Sequence, residues 1–164
     1  MSKVNDFLTE AGVFYLATVD GDQPKVRPLG AHMEMDGKVL FGVGDFKEVY
    51  KQLLANPKVE IACAKPDGHW LRYTGKAVFE TDPKYAEASL EAMPQLRGIY
   101  NDETGHKLMM FHLEDATAVD IPMMGPGEDL LPMKHDQRQE SGGRPAPTAP
   151  SAICRICPMP LLFR

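Results

Sequence analysis

The sequence predicts a mainly β protein with short helices, in which six or seven antiparallel strands roll into a small closed or partly open barrel. Three observations carry that expectation. Asp20-Gly21, Asp36-Gly37 and Asp67-Gly68 are tight-turn signals next to apolar or β-branched runs. Asp-Gly is a strong hairpin signature because such turns need positive φ. The runs between the turns are of strand length, and the helical patterns are few, short and one-sided.

In order along the chain, Val4, Phe7, Leu8 and Ala11 recur at helical spacing, so residues 3–11 form an amphipathic helix that Gly12 stops. Val13 to Val19 is a strand, and residues 24–34 form the next one. Asp36-Gly37 leads into a strand over 38–43. Phe46, Val49, Tyr50, Leu53 and Leu54 mark a helix over 46–55. Asn56-Pro57 ends it, because a residue before proline avoids the α region. Strands follow over 59–64 and 69–80. Pro83 suits the first turn of a helix reaching Met93. Residues 94–100 add a short helical piece, and 107–113 and 116–121 are the last strands. Composition changes after Pro122, and Gly142 to Ser151 is a proline-spaced linker. The expected organisation is one domain over 1–124 and a flexible, poorly ordered Pro/Gly-rich tail over 125–164.

A chain of 164 residues is one domain, long enough to bury a core. A net charge of -5 argues against nucleic acid, whose binders carry a clustered basic excess. No apolar run approaches the roughly 18 residues that span a bilayer, and the N-terminus lacks the apolar segment of a signal peptide. Three cysteines make no disulfide framework. The cytoplasm is the expected compartment, with neither nucleic acid nor membrane as a partner.

The chemistry concentrates between Val39 and Ile61, a strand, a glycine-bearing turn, a helix and a strand. The turn Gly42-Val-Gly-Asp-Phe46 offers backbone N–H groups at a helix start, a natural anion site. Lys47 and Lys51 share a helix face at i and i+4. A cation as early as Lys47 opposes the helix dipole unless it meets an anion. Arg27, on what reads as the neighbouring strand, adds a fork suited to phosphate oxygens. Pro28 beside it cannot donate to a ladder and marks an irregular or edge position. Plainer readings stand alongside. Arg27 can be a solvent-facing arginine, Lys51 can pair with Glu48 at i,i+3, and Gly42 and Gly44 can be a twist or turn device, since no P-loop pattern is present.

Trp70 and Arg72, two apart on one strand, face one side. They read either as an aromatic wall with a cation at a ligand or subunit interface, or as a half-buried surface pair. The five histidines lack metal-site spacing, so no metal is expected, a lone axial histidine aside. Cys154-Arg-Ile-Cys157 has no second pair to complete a tetrahedral zinc site. No Ser-His-Asp set or carboxylate pair stands out. The residues together suggest a phosphorylated cofactor without naming it.

The order of Phe14-Tyr-Leu-Ala-Thr18, Pro24-Lys-Val-Arg-Pro-Leu29, Lys47-Glu-Val-Tyr-Lys-Gln-Leu53, Asn56-Pro-Lys-Val-Glu-Ile61 and Trp70-Leu-Arg-Tyr-Thr-Gly-Lys-Ala77 resembles the pyridoxamine 5'-phosphate oxidase-like family. The resemblance continues through Pro94-Gln-Leu96, Tyr100 and Met110 to Glu114, over about residues 1–121. It implies a six- to seven-stranded antiparallel split β-barrel and a homodimer with FMN in two grooves at the subunit interface. By matched position, Arg27, Pro28 and Leu29 line the cofactor. Val43, Gly44 and Asp45 sit near the ring edge and ribityl chain, and Lys47 and Lys51 meet the phosphate. Trp70, with Arg72 near it, stands where relatives place a contact from the partner subunit. Relatives often carry threonine or asparagine and serine donors in the turn before the helix. Here that turn holds Asp45, an anion that repels a phosphate unless it points to the ribityl hydroxyls. The arginine- and histidine-bearing substrate segment of true pyridoxamine 5'-phosphate oxidases is missing, so that reaction is not assigned. The resemblance implies a flavin-dependent oxidoreductase that passes electrons from a small-molecule donor to a small acceptor, with no side chain assigned a catalytic role. The alternatives are a non-catalytic flavin or heme carrier, with His32 or His69 on the heme, and a deazaflavin F420 protein.

Overall fold

Ser2 opens the first helix by accepting a hydrogen bond from the Asn5 N–H on its hydroxyl at 3.2 Å, and Gly12, at φ 74°, closes it. The structure, a computed structural model, describes residues 2–131. Its elements are α1 (Lys3–Ala11), β1 (Phe14–Asp20), β2 (Gln23–Leu29), β3 (His32–Met35), β4 (Lys38–Gly44), α2 (Glu48–Ala55), β5 (Lys58–Ala64), β6 (Trp70–Phe79), α3 (Pro83–Ala92), a 3-10 turn over Pro94–Gly98, β7 (Leu108–Ile121) and β8 (Glu128–Asp129).

The ladders are antiparallel in the order β2-β1-β5-β6-β7-β4-β3, with β8 added to β7. The two ends of this path, β2 and β3, are joined only by Gly30 and Ala31. Seven strands laid flat would separate the ends by about 29 Å, whereas Leu29 and His32 lie at most about 11 Å apart along the chain. The sheet must therefore curl until its edges approach. Since β2 and β3 do not pair, the barrel stays split, and this settles the choice between closed and partly open.

Curling turns one face of each strand into the core. Phe14 and Leu16 meet Phe41 and Val43, Ile61, Leu71, Tyr73 and Phe111, with α1 and α2 sealing the cluster through Leu8 and Leu53. Phe41 lies 5.4 Å from Phe14 and 5.5 Å from Phe111, ring centre to ring centre. Burial pushes the Tyr73 phenol up to about 12. A second apolar layer covers the other face of β4 and β7, where Leu40, Leu108 and Met110 pack beneath Tyr85 and Leu90 of α3 and Tyr100.

Several boundaries differ from the sequence expectation. Residues 24–34 are two strands, because the chain crosses the split at Gly30-Ala31. The helix begins at Glu48, leaving Phe46 and Lys47 in the turn. Residues 107–113 and 116–121 belong to a single strand, β7, with an irregularity at Asp115 (φ 48°) and a register shift opposite Thr74 and Lys76. Gly75 sits opposite that shift, and a Cβ there would come within 2.9 Å of the Glu114 carbonyl. Residues 125–131, expected in the tail, carry β8, which pairs Asp129 with Val119, and Leu130 and Leu131 pack on the core. The rest of the expected tail, with Cys154 and Cys157, lies outside the described residues. Among the described residues, no helix is long and apolar enough to cross a membrane and no metal-ligand cluster occurs.

Candidate functional site

Arg27 pairs across the β1–β2 ladder with Leu16, whose side chain faces the core, so the guanidinium enters the inner face of the split edge. Its Nη1 donates to the Leu16 carbonyl at 3.2 Å and to Thr18 Oγ1 at 2.7 Å, and its Nη2 donates to Gln52 Oε1 at 2.8 Å. Thr18 Oγ1 donates in turn to Gln52 Oε1 at 2.7 Å. Thr18 and Gln52 are 3% and 7% exposed, so β1, β2 and α2 meet in a buried polar cluster. Burial lowers the Arg27 pKa, but a guanidinium stays charged in proteins. Among the described residues no carboxylate pairs with it. Arg27 is thus not the solvent-facing arginine of the plain reading but a cation held by neutral acceptors.

The β4–α2 turn is more committed than its glycines suggested. The Asp45 N–H donates to the Lys107 carbonyl at 3.0 Å, and Asp45 Oδ1 accepts from the Lys107 N–H at 3.0 Å. The Lys47 N–H donates to the Gly44 carbonyl at 3.1 Å. Two of the turn's backbone donors are therefore taken, and the Asp45 carboxylate is tied to the backbone of Lys107. Val43 is a core residue at 3% exposure. Lys47 caps α2 without a side-chain cap bond, lies 5.9 Å from the Phe46 ring and has no carboxylate partner among the described residues. Lys51 pairs with Glu48 at 2.8 Å, as its plain reading had it.

Gly42 and Gly44 serve packing. A Cβ on Gly44 would come within 2.7 Å of the Phe46 ring and 3.1 Å of the Tyr100 hydroxyl. Phe46 in turn stacks on His106 at 4.1 Å. Gly44→Ala should therefore cost about 1 kcal/mol by crowding that stack. The penalty should shrink in a Phe46→Ala background, where only the Tyr100 contact remains, and a double-mutant cycle of thermal unfolding would read the difference directly.

Trp70 and Arg72 do share a face. The Arg72 guanidinium sits 5.5 Å from the Trp70 ring centre, and its Nε donates to Glu60 Oε1 at 3.2 Å. They lie on the outer face of β6, three strands or about 14 Å from β2. Within the chain they do not join Arg27. The same outer face carries Tyr15 and Val26, 50% and 64% exposed, beside exposed Pro28, while Leu29 packs against the core.

The family profile for pyridoxamine 5'-phosphate oxidase matches residues 1–121. The chain belongs to the pyridoxamine 5'-phosphate oxidase-like family. A solved NimC/NimA family protein from Clostridium acetobutylicum is 36% identical over 78% of this chain and 89% of that one, with a TM-score of 0.71. A heme-binding protein from Mycobacterium smegmatis is 17% identical over 75% of this chain and 54% of that one, with a TM-score of 0.58. An FAD-binding protein from Mesorhizobium loti is 16% identical over 74% and 96%, with a TM-score of 0.52. At those identities the last two show the fold alone. No curated protein matches the chain.

For a flavin of the kind this family holds, the residues fit at one end. A half-buried arginine at the split edge, and a lysine at the start of α2, each without a carboxylate partner among the described residues, suit a phosphate. Heme fits less well at His32. Its Nε2 is bonded to Thr9 Oγ1 at 3.2 Å, and its Nδ1 is buried. His69 is tied through Nδ1 to Asp120 at 2.8 Å. A cleft of about 900 Å³ between α3 and β7, lined by Glu80, Tyr100, His106 and Met110 among others, contains none of the ten candidate residues.

Sequence reasoning missed Thr18 and Gln52. A signal existed: Gln52 interrupts the apolar face of α2 beside Val49 and Leu53, and a polar residue on an otherwise buried face needs a partner.

Proposed function

We propose that this chain is an FMN-binding flavoprotein that acts as a homodimer and as an oxidoreductase on a small molecule. The observation that carries the reading is Arg27, a positive charge whose partners among the described residues are all neutral acceptors at the split edge. A half-buried cation without a counter-charge carries a desolvation cost, and an incoming phosphate would supply an anion. Lys47, without a carboxylate partner among the described residues, adds a cation at the start of α2, where the helix dipole also favours an anion.

When bound, FMN supplies hydride and one-electron chemistry. The chain's residues hold and orient it. Arg27 and Lys47 take the phosphate, while the Arg72–Trp70 pair forms a wall for the ring in the groove of the partner subunit. The apolar outer face around Tyr15, Val26 and Pro28 is the surface on which the two copies meet. Asp45 spends one carboxylate oxygen on the Lys107 N–H, which fixes its position while leaving its charge in place.

The test is to release and weigh the small molecule that copurifies with the native chain, alongside its spectrum and the particle mass in solution. FMN in a dimer, bleached by NADH or NADPH, is the expected result. A chain that binds neither added FMN nor riboflavin overturns the proposal, and a deazaflavin or heme mass redirects it to a different cofactor.

A further inference from the structure

The acceptors around Arg27 do more than satisfy it. A guanidinium carries five N–H groups, one on Nε and two on each Nη. Both Nη1 hydrogens are used, by the Leu16 carbonyl and Thr18 Oγ1, and one Nη2 hydrogen is used by Gln52 Oε1. Thr18 Oγ1 and Gln52 Oε1 lie 2.7 Å apart and are bonded to each other, so they sit side by side on the Nη1–Nη2 edge. The Nε–H and the second Nη2–H remain without a partner among the described residues. These two bonds run parallel along the other edge of the plane, the fork that meets two oxygens of one phosphate.

From this arrangement we infer that Thr18 and Gln52 are positioning residues, which lock the Arg27 guanidinium so that its Nε–Nη2 edge is presented to a phosphomonoester and make the site select a phosphorylated flavin over an unphosphorylated one. The inference rests on the FMN reading above and deepens it. The chemistry of the lock explains why neutral residues occupy it. Arg27, Thr18 and Gln52 form a closed triangle in which Thr18 accepts from Arg27 and donates to Gln52, while Gln52 Oε1 accepts from both. A carboxylate at position 52 would make the same bonds in the same shape but cancel the charge that the phosphate needs. Neutrality of the lock is therefore a functional requirement that packing alone does not impose.

The test compares FMN and riboflavin binding to apoprotein of the full chain, in the wild type and in Gln52→Glu, Thr18→Ser and Thr18→Val, with thermal unfolding beside each. The wild type should bind FMN far more tightly than riboflavin. Gln52→Glu should lose about 10- to 100-fold in FMN affinity, keep its riboflavin affinity and unfold no earlier than the wild type. Thr18→Val should lose FMN affinity in the same selective way, and Thr18→Ser, which keeps the hydroxyl, should retain it. The Thr18 pair decides the matter should Gln52→Glu fail to fold. FMN affinity unchanged in Gln52→Glu and Thr18→Val, or FMN and riboflavin affinities falling together, overturns the positioning role while leaving the phosphate site standing. A wild type that binds the two flavins equally overturns the phosphate reading itself, and this inference with it.

Discussion

If the proposed FMN site is right, Arg27→Ala should weaken FMN binding by about 10- to 100-fold, the loss of a hydrogen-bonded charge worth about 1.5–3 kcal/mol. The fold survives this change, because Thr18 and Gln52 remain bonded to each other at 2.7 Å and neither is left unsatisfied in the core. Lys47→Glu provides a companion with opposite signs. It places an acid at the start of α2, which favours the helix by about 0.3–1 kcal/mol, yet it repels the phosphate. A variant that becomes slightly more stable and binds FMN worse separates binding from folding within one molecule. Fluorescence titration of the apoprotein reads the affinity and thermal unfolding the stability. Undiminished affinity in both variants removes the phosphate from this edge of the barrel.

The largest loss of stability is expected at Phe41. Its side chain is fully buried and touches rings on two other strands, with Phe14 and Phe111 centred 5.4 and 5.5 Å away. Phe41→Ala removes that contact and leaves a cavity that a curled sheet cannot collapse around, at a cost of about 3–5 kcal/mol. Domains of this kind are stable by about 5–15 kcal/mol, so denaturant unfolding should show a large shift of the midpoint. Leu54 is the control. It is apolar too, but 60% exposed, and Leu54→Ala should stay within about 0.5 kcal/mol. Equal losses at the two positions would contradict the core assigned here.

Local order was readable before any coordinates. The Asp-Gly turns, the stop at Gly12 and the one-sided helices follow from rules that act over a few residues, and α1 and α3 lie close to the expected ranges. The break between β2 and β3 was not readable, because it comes from the edges of a seven-strand path being drawn together, not from any signal at Gly30. The site divides in the same way. Arg27, Lys47 and Lys51 were visible as cations, and the Glu48–Lys51 pair followed from helix spacing. The partners that set their roles were not visible. Gln52 is 25 residues from Arg27, and Lys107 is 62 residues from Asp45. Such pairings depend on the curl of the sheet. Gly42 and Gly44 are packing positions, and the charge at the split edge rests on Arg27.

Cys63 offers a practical handle. It lies on the inner face of β5 at 5% exposure, and burial pushes its thiol up to about 11, so near neutral pH it presents almost no thiolate to an alkylating reagent. The chain has three cysteines, and the other two, Cys154 and Cys157, follow the barrel. A maleimide dye added to the native protein should therefore spare Cys63, and dye uptake there becomes a clock for opening of the barrel. One reagent can thus follow the unfolding of the core without any engineered cysteine.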